Sequence, residues 1–286
     1  SEFFANLQSP RRNHRAVAYL GKIYVLGGYN GRPMFGDSIF EASMEVIDLA
    51  TREVSSAPPM PVAKAGFACA ISGGKLYVLG GAKVKNNGSI ATTNSVEAYD
   101  LAKRTWSNAL PMPTPRMGVA VNVEGFIIVP GGVIGRREVA DVEVFNPRDN
   151  IWRTLPSLDR KVNATSIAFL DHYLFLFGPR DLTVYEMKQK QSTSYRFNYE
   201  GASDAAAVIM GGNIFVIGGR RAGDPFSNDY FRQPTTNWTL SKGPGDDQGS
   251  DVEYAPDDSR DINGLLDYQV VEEIQVFALN AVTRGE

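Results

Sequence analysis

The chain has 286 residues, 43% of them hydrophobic and 21% charged, so it can bury a large core and lacks the composition of a disordered protein. Its formal net charge of -3 gives no electrostatic reason to expect a nucleic acid or an anionic membrane as partner. A single cysteine and two histidines leave no internal disulfide and little for a zinc or copper site, so we expect no metal and no cofactor. The sequence has no recognisable signal peptide and no apolar run approaching the roughly 18–20 residues of a membrane span, and we expect a cytoplasmic protein.

One apolar motif that ends in two glycines recurs along the chain. It begins at Ile23–Gly28 and returns at 76–81, 127–132, 174–179 and 214–219, with Pro179 in place of the second glycine of the fourth copy. The copies are on average about 48 residues apart, a period typical of the blades of a β-propeller. The chain has room for six such blades.

Each repeat has the same internal order. A basic residue precedes a small apolar strand, and the strand that ends in Gly-Gly follows after a turn. The predicted opening residues are Arg12, Lys64, Arg116 and Lys161, with Ser203 in the fifth place. A third strand alternates apolar and polar residues at 44–48, 96–100, 142–146 and, more weakly, 229–232. A fourth strand carries Trp106, Trp152 or Trp238, with Val54 in the first repeat.

Four short strands per repeat, without helical periodicity, predict a four-stranded antiparallel blade. The double glycine is expected where another backbone approaches too closely for a Cβ. The tryptophan of the outer strand is expected to cover the interface with the neighbouring blade.

The combination of basic residue, Ile-Tyr-Val-Leu-Gly-Gly, Val-Glu-x-Tyr-Asp, tryptophan and Pro-Met-Pro resembles the kelch repeat. The resemblance covers roughly residues 10–240 and is strongest over 10–158. It implies an all-β, kelch-type β-propeller, which we expect to form one domain over residues 1–286.

The last blade is the least regular part of the pattern. We expect a sixth blade from residues 243–286 plus 2–8, with Ile274–Leu279 as its third strand and Leu265–Val271 as its second. The N-terminal segment would supply the outer strand and so close the ring. A ring of five blades with an irregular C-terminal segment is the alternative.

The sequence gives little support for a catalytic activity. Galactose-oxidase-like copper enzymes share the propeller architecture, but Cys69 lies in the small apolar strand 66–71, where we expect a buried structural thiol, and His172 lies in a turn. A propeller-type sugar epimerase or mutarotase needs only an acid/base pair and an arginine, so it stays open as the alternative function. Such an enzyme should place a carboxylate of perturbed pKa opposite an arginine at the channel mouth.

The kelch resemblance implies that ligands bind at the mouth of the channel, next to residues that follow the double glycine or the opening basic residue. The candidate binding residues are Asn13, His14, Tyr29, Asn30, Arg32, Lys83, Met117, Arg136, Arg137, Asn163, Arg180, Arg220 and Arg221. Their arginines favour an acidic peptide. For the strand-opening residues, such as Arg12 and Arg116, the alternative is a structural pair with carboxylates of adjacent blades.

We therefore expect a protein–protein interaction module without chemistry of its own. The resemblance to kelch adaptors implies substrate recognition for a cullin-type ubiquitin ligase, or binding to a cytoskeletal or scaffold protein. A further hypothesis is that the acidic segment Asp246–Asp261 folds over the basic mouth and competes with the partner.

Overall fold

The computed structural model describes residues 5–30, 39–178, 181–196, 205–210, 213–217, 241–242, 267–271 and 274–278. Regular structure within these ranges is β-strand throughout. The chain divides into two compact units, Ser1–Leu155 and Pro156–Glu286, each with its own sheets. In the part of the chain that is described, no helix is long and apolar enough to cross a membrane.

The first unit contains three copies of one six-stranded arrangement. The first copy consists of β1 (Arg15–Tyr19), β2 (Lys22–Leu26), β3 (Tyr29–Asn30), β4 (Ile39–Phe40), β5 (Met44–Asp48) and β6 (Val54–Ala57). The second consists of β7 (Ala68–Ser72), β8 (Lys75–Leu79), β9 (Ala82–Val84), β10 (Ile90–Thr92), β11 (Val96–Asp100) and β12 (Thr105–Ala109). The third consists of β13 (Val121–Val123), β14 (Phe126–Pro130), β15 (Val133–Ile134), β16 (Arg137–Glu138), β17 (Val142–Asn146) and β18 (Ile151–Leu155).

Four strands of each copy form an antiparallel sheet, in the orders β1-β2-β5-β6, β7-β8-β11-β12 and β13-β14-β17-β18. These sheets are the predicted blades, and we call them blades 1 to 3. The remaining two strands of each copy form a separate hairpin, which lies in the chain between the second and third strands of the blade. The continuous apolar runs of β8 and β14 are almost entirely buried, and blades 1 and 3 cover the two faces of β8. Tyr77 and Leu79 of blade 2, for example, share a core with Ile127 and Phe145 of blade 3.

The double glycine is where successive blades meet. The amide of Gly28 donates a hydrogen bond of 2.8 Å to the carbonyl of Lys64, and Gly81 donates one of the same length to Arg116. A Cβ on Gly81 would lie 2.8 Å from Cβ of Phe67 and 2.9 Å from the Ala65 carbonyl oxygen, and the residue has a φ of +96°. Both conditions favour glycine, so the predicted close approach of two backbones is confirmed.

The tryptophans of the outer strands also connect blades, as predicted. Trp106 Nε1 donates to the carbonyl of Pro58, which follows β6 of blade 1, at 2.9 Å. Trp152 Nε1 makes the same bond, also 2.9 Å, to Leu110, which follows β12 of blade 2. Each indole therefore covers the segment that leads into its own blade.

The second unit contains two further sheets. Its strands are β19 (Ser166–Leu170), β20 (Tyr173–Phe177), β21 (Asp181–Glu186), β22 (Gln191–Arg196), β23 (Ala206–Met210), β24 (Asn213–Ile217), β25 (Ser241–Lys242), β26 (Asp267–Val271) and β27 (Ile274–Ala278). The sheet orders are β19-β20-β21-β22-β25 and β23-β24-β27-β26. In the first of these sheets Ser192 occupies the tryptophan position, opposite Tyr185. The Tyr185 hydroxyl instead donates to the Pro156 carbonyl at 3.2 Å and so replaces the missing indole.

The C-terminal strands correct one prediction. β27 pairs with β24 and β26 pairs with β27, so both belong to the sheet of the fifth repeat and not to a separate sixth blade. The alternating sequence Ile-Gln-Val-Phe-Ala of β27 suits a strand beside β24 better than the weak 229–232 copy, which lies outside the described residues.

The N-terminal segment 2–8, predicted to complete the last blade, is described only from residue 5 onward. Residues 5–8 form no strand, and Gln8 donates from its amide to Glu45 Oε2 of blade 1 at 2.6 Å. Residues 2–4 and the acidic stretch 243–261 lie outside the described residues. The number of blades and the single domain over 1–286 stay predictions.

Candidate functional site

The three short hairpins of the first unit lie at the same end of their blades. Each begins directly after the double glycine: β3–β4, β9–β10 and β15–β16. Isolated bridges pair the start of each hairpin with the residue after the buried basic residue, in the pairs Arg12–Tyr29, Ala65–Ala82 and Met117–Val133. The two sets of candidate residues are therefore adjacent in each blade. We call the described residues of these hairpins, 29–30, 39–40, 82–92 and 133–138, the hairpin rim.

The basic residues that open the blades are buried in ion pairs. Arg116 Nη2 lies 2.7 Å from Glu143 Oε1, with side chains 0% and 2% exposed. Lys64 pairs with Glu97 in blade 2, with side chains 0% and 5% exposed, and Lys64 Nζ also donates to Ser95 Oγ at 2.7 Å. Arg116 therefore has a structural carboxylate partner, but the prediction that this partner lies in an adjacent blade is wrong, because Glu143 belongs to the same blade.

In blade 1 the buried position belongs to Arg11, so the prediction of Arg12 is wrong by one residue. Arg11 pairs with Glu45, and its Nη1 donates to the Ser43 carbonyl at 3.1 Å. Arg116 Nη1 makes the equivalent bond to the Asp141 carbonyl at 2.8 Å. Arg12 is exposed and pairs through its backbone with Tyr29. The buried basic residue is one residue closer to the double glycine in blade 3 than in blades 1 and 2. The repeat spacing therefore does not distinguish Arg11 from its neighbour Arg12.

In the fourth repeat, too, the basic residue that forms the ion pair is the one before the predicted opening residue. Arg160 pairs with Asp181, whereas the predicted opening residue Lys161 is exposed. Thr183 stands where the other blades have their buried glutamate, and its hydroxyl lies 2.8 Å from Ser194 Oγ. Because this position has no carboxylate, Arg160 pairs instead with Asp181, the first residue of β21.

The buried pairs also bear on the enzyme alternative. Burial raises the pKa of Glu143 and lowers the pKa of Arg116, while each partner opposes the shift of the other. A carboxylate of raised pKa therefore does face an arginine, as a propeller enzyme would require. Both side chains are inaccessible, however, and equivalent pairs recur in blades 1 and 2. We assign the pair to the structure of the blade.

Asn13 and His14 directly precede β1 of blade 1. The Asn13 carbonyl accepts a hydrogen bond from Gly66 at 3.0 Å, and the Gly66 carbonyl accepts one from Gly118 at 3.1 Å, so the backbone links three successive blades. Asn13 has a φ of +49° where blade 2 has Gly66 at +63°. Burial is the main cause that lowers the pKa of His14, and the positive charges of Arg11 and Arg15 lower it further.

The remaining described candidates lie on or beside the hairpin rim. The rings of Tyr29 and Phe40 are 6.2 Å apart across the first hairpin. Met117 lies against blade 2, its sulfur 3.2 Å from where a Cβ on Gly66 would be. Lys83 is half-buried in β9, and its charge contributes to lowering the pKa of Lys64. Arg136 and Arg137 are exposed in the third hairpin.

The other candidates are described only in part, belong to the second unit, or lie outside the described residues. Asn163 is half-buried ahead of β19 in the second unit. For Asn30 only the backbone is described, paired with Ile39. Arg32, Arg180, Arg220 and Arg221 lie outside the described residues.

The thiol of Cys69 is buried in β7, as predicted. Burial raises its pKa to about 12, so the group is a neutral part of the core. Within the described ranges, no group of three or more His, Cys, Asp or Glu side chains could hold a metal ion.

Sequence reasoning missed Arg15 and the buried glutamates. Arg15 Nε donates to the Phe67 carbonyl and Nη2 to the Gly118 carbonyl, both at 2.8 Å, so one side chain of blade 1 connects blades 2 and 3. Blade 2 has Ala68 in the position of Arg15, and the repeat pattern therefore gives no signal for it. The glutamates recur as the second residue of each third strand, at 45, 97 and 143, and that repetition could have found them.

Comparisons with known proteins agree with this geometry. The KLHDC2/KLHL20/DRC7 Kelch-repeats domain matches residues 5–179. Beta-scruin of Limulus polyphemus is 26% identical over 244 residues, covering 76% of this chain and 26% of that protein. Kelch-like protein 35 of Mus musculus is 26% identical over 197 residues, covering 68% of this chain and 31% of that protein. The chain thus spans about a quarter to a third of the length of these curated relatives.

Among solved structures, that of YjhT matches with a TM-score of 0.63 and 14% identity, covering 74% of this chain and 73% of that one. This likeness shows the fold, an all-β propeller of the kelch type. The sheets, the double-glycine contacts between blades and the match over residues 5–179 lead to one conclusion. The chain belongs to the kelch-repeat family.

Proposed function

We propose that the chain is a protein-interaction module whose hairpin rim binds an acidic segment of a partner protein. The observation that carries this proposal is a contrast between two sets of basic residues. Those that open the blades are neutralised by buried glutamates. Lys83, Lys85, Arg136 and Arg137 on the rim have no ion-pair partner among the described residues.

The rim is suited to carboxylates. Arg136 and Arg137 are adjacent and exposed, and guanidinium groups bind carboxylates through two parallel hydrogen bonds. The described part of the rim contains one acidic residue, Glu138, against the four basic residues named above. Basic residues therefore outnumber acidic ones there, even though the chain as a whole has a net charge of -3. A local positive potential of this kind steers and orients an acidic partner.

The wider role belongs to the same proposal. We propose that the chain recognises substrates for a cullin-type ubiquitin ligase adaptor in the cytoplasm, where such an adaptor would act. This part rests on the resemblance to kelch adaptors. A cytoskeletal or scaffold partner would use the same surface.

The proposal is tested by affinity capture with a matched pair of variants. Lys83→Ala, Arg136→Ala and Arg137→Ala together remove three charges from the rim. Lys103→Ala, Arg104→Ala and Arg148→Ala remove three exposed charges from the turns at the opposite ends of the strands. After both variants are shown to be folded, we expect only the rim variant to lose its partner, and the wild-type complex to weaken with rising salt. A partner retained by the rim variant, or held equally at high salt, would contradict the proposal.

A further inference from the structure

The hairpin of blade 2 carries an exposed apolar pair. Val84 of β9 and Ile90 of β10 are directly opposite each other across the two strands. They are 46% and 57% exposed, while Ala82 at the base of the same face is buried. Opposite residues in an antiparallel pair have Cβ atoms about 4.5–5.5 Å apart, so the two side chains form one continuous apolar surface.

The turn that joins these strands is well ordered by its own hydrogen bonds. Lys85 donates from its amide to the Ser89 carbonyl at 2.8 Å, and Gly88 donates to the Lys85 carbonyl at 2.9 Å. Asn87 Oδ1 accepts from the Ser89 amide at 3.1 Å and from the Ser89 hydroxyl at 2.7 Å. The surface is therefore held in place before any ligand arrives, which lowers the entropic cost of binding.

Basic residues flank the apolar pair along the chain. Lys83 precedes Val84 and pairs with Ala91 on the other face of the hairpin, and the exposed Lys85 follows Val84 in the turn. An apolar patch beside basic groups fits a segment in which an apolar side chain stands among carboxylates. An apolar segment without acidic neighbours would leave both lysines unpaired.

We infer that Val84 and Ile90 form a subsite for one apolar side chain of the partner, a Leu, Ile, Phe or Met with Asp or Glu on both sides. This inference rests on the proposed function, because the flanking carboxylates are those that the hairpin rim attracts. About half of each side chain remains to be buried. Covering the pair should contribute a factor of about ten to fifty in affinity.

The test uses a random peptide library displayed on phage and selected against the purified chain. Val84→Thr with Ile90→Thr removes the apolar surface and keeps β-branched residues that suit the strands. The matched control is Leu20→Asn with Leu49→Gln, which removes two exposed leucines from turns at the opposite ends of the strands.

We expect enriched peptides to contain an apolar residue between acidic ones. The Val84/Ile90 variant should bind the best peptide about ten- to fiftyfold more weakly, and the control should bind it unchanged. Replacing the apolar peptide residue by serine should cost the same factor in the wild type and nothing further in the variant.

The unfavourable outcomes separate the two proposals. Acidic peptides without an apolar preference, bound equally by the Val84/Ile90 variant, would overturn the subsite and leave the acidic rim standing. A selection that enriches no acidic peptides would overturn both.

Discussion

Removing Glu97 from the buried pair of blade 2 should strongly destabilise the fold. Its partner Lys64 is completely buried, so Glu97→Leu leaves an ammonium group without a carboxylate in a place that water does not reach. Burial already lowers the pKa of Lys64, and Glu97 is the group that opposes this shift most. Breaking such a pair costs about 3–5 kcal/mol, a large part of the roughly 5–15 kcal/mol that stabilises a typical domain.

Replacing both partners should restore most of the stability. Lys64→Met with Glu97→Leu leaves no buried charge and keeps the volumes similar, so the double variant should lie within about 1 kcal/mol of the wild type or above it. The free energy of unfolding is measured by urea titration with tryptophan fluorescence and linear extrapolation. The control is Asp48→Asn, which breaks the exposed pair of Lys22 and Asp48 and should leave the midpoint almost unchanged. The reasoning is refuted if Glu97→Leu is as mild as this control, or if the double variant is as unstable as the single one.

Three further predictions concern single positions. Gly81→Ala should cost about 2–5 kcal/mol, because the methyl group meets Phe67 and the φ is positive; Gly73→Ala, where a Cβ meets nothing within 4 Å, should cost about 1 kcal/mol in the same urea titration. Cys69 should not react with Ellman's reagent in the native protein and should react fully in urea, since burial raises its pKa to about 12; rapid native labelling would contradict its burial. Burial lowers the pKa of His14 below 6.5, so its protonation opposes folding. The wild type should therefore lose stability relative to His14→Gln between about pH 7 and about pH 5.5, and parallel pH profiles of the two midpoints would show that His14 is not responsible.

The repeat pattern was sufficient to predict the blades because each of its elements has one dominant physical cause. The apolar run predicted a strand covered on both faces, and β8 is such a strand. The double glycine predicted a close backbone approach, and the carbonyls of Lys64 and Arg116 make that approach. These features depend on residues close together in the sequence, so a single chain reveals them.

The position of charged side chains could be predicted less well. Arg11 and Arg12 are neighbours of the same type, and only the bridge of Arg12 to Tyr29 decides which of them turns into the blade. Arg15 makes its contacts with Phe67 and Gly118, which are far away in the sequence and carry no matching signal because the acceptors are backbone carbonyls. Any residue type could supply those acceptors.

The glutamate of the third strand explains which basic residues are available for binding. Where this glutamate is present, the basic residue that opens the blade is withdrawn into the core, as Lys64 and Arg116 are. Where Thr183 replaces it, Arg160 pairs with Asp181 and remains partly exposed.

The buried pairs therefore cancel in the net charge of the chain and contribute nothing to the surface. A net charge of -3 is then compatible with a basic hairpin rim, because the surface potential depends on the basic residues that have no buried partner. It follows that substitutions at Lys64 or Arg116 should act on folding, whereas substitutions at Lys83, Arg136 or Arg137 should act on binding alone. A rim variant that binds as the wild type does but unfolds more easily would contradict this division.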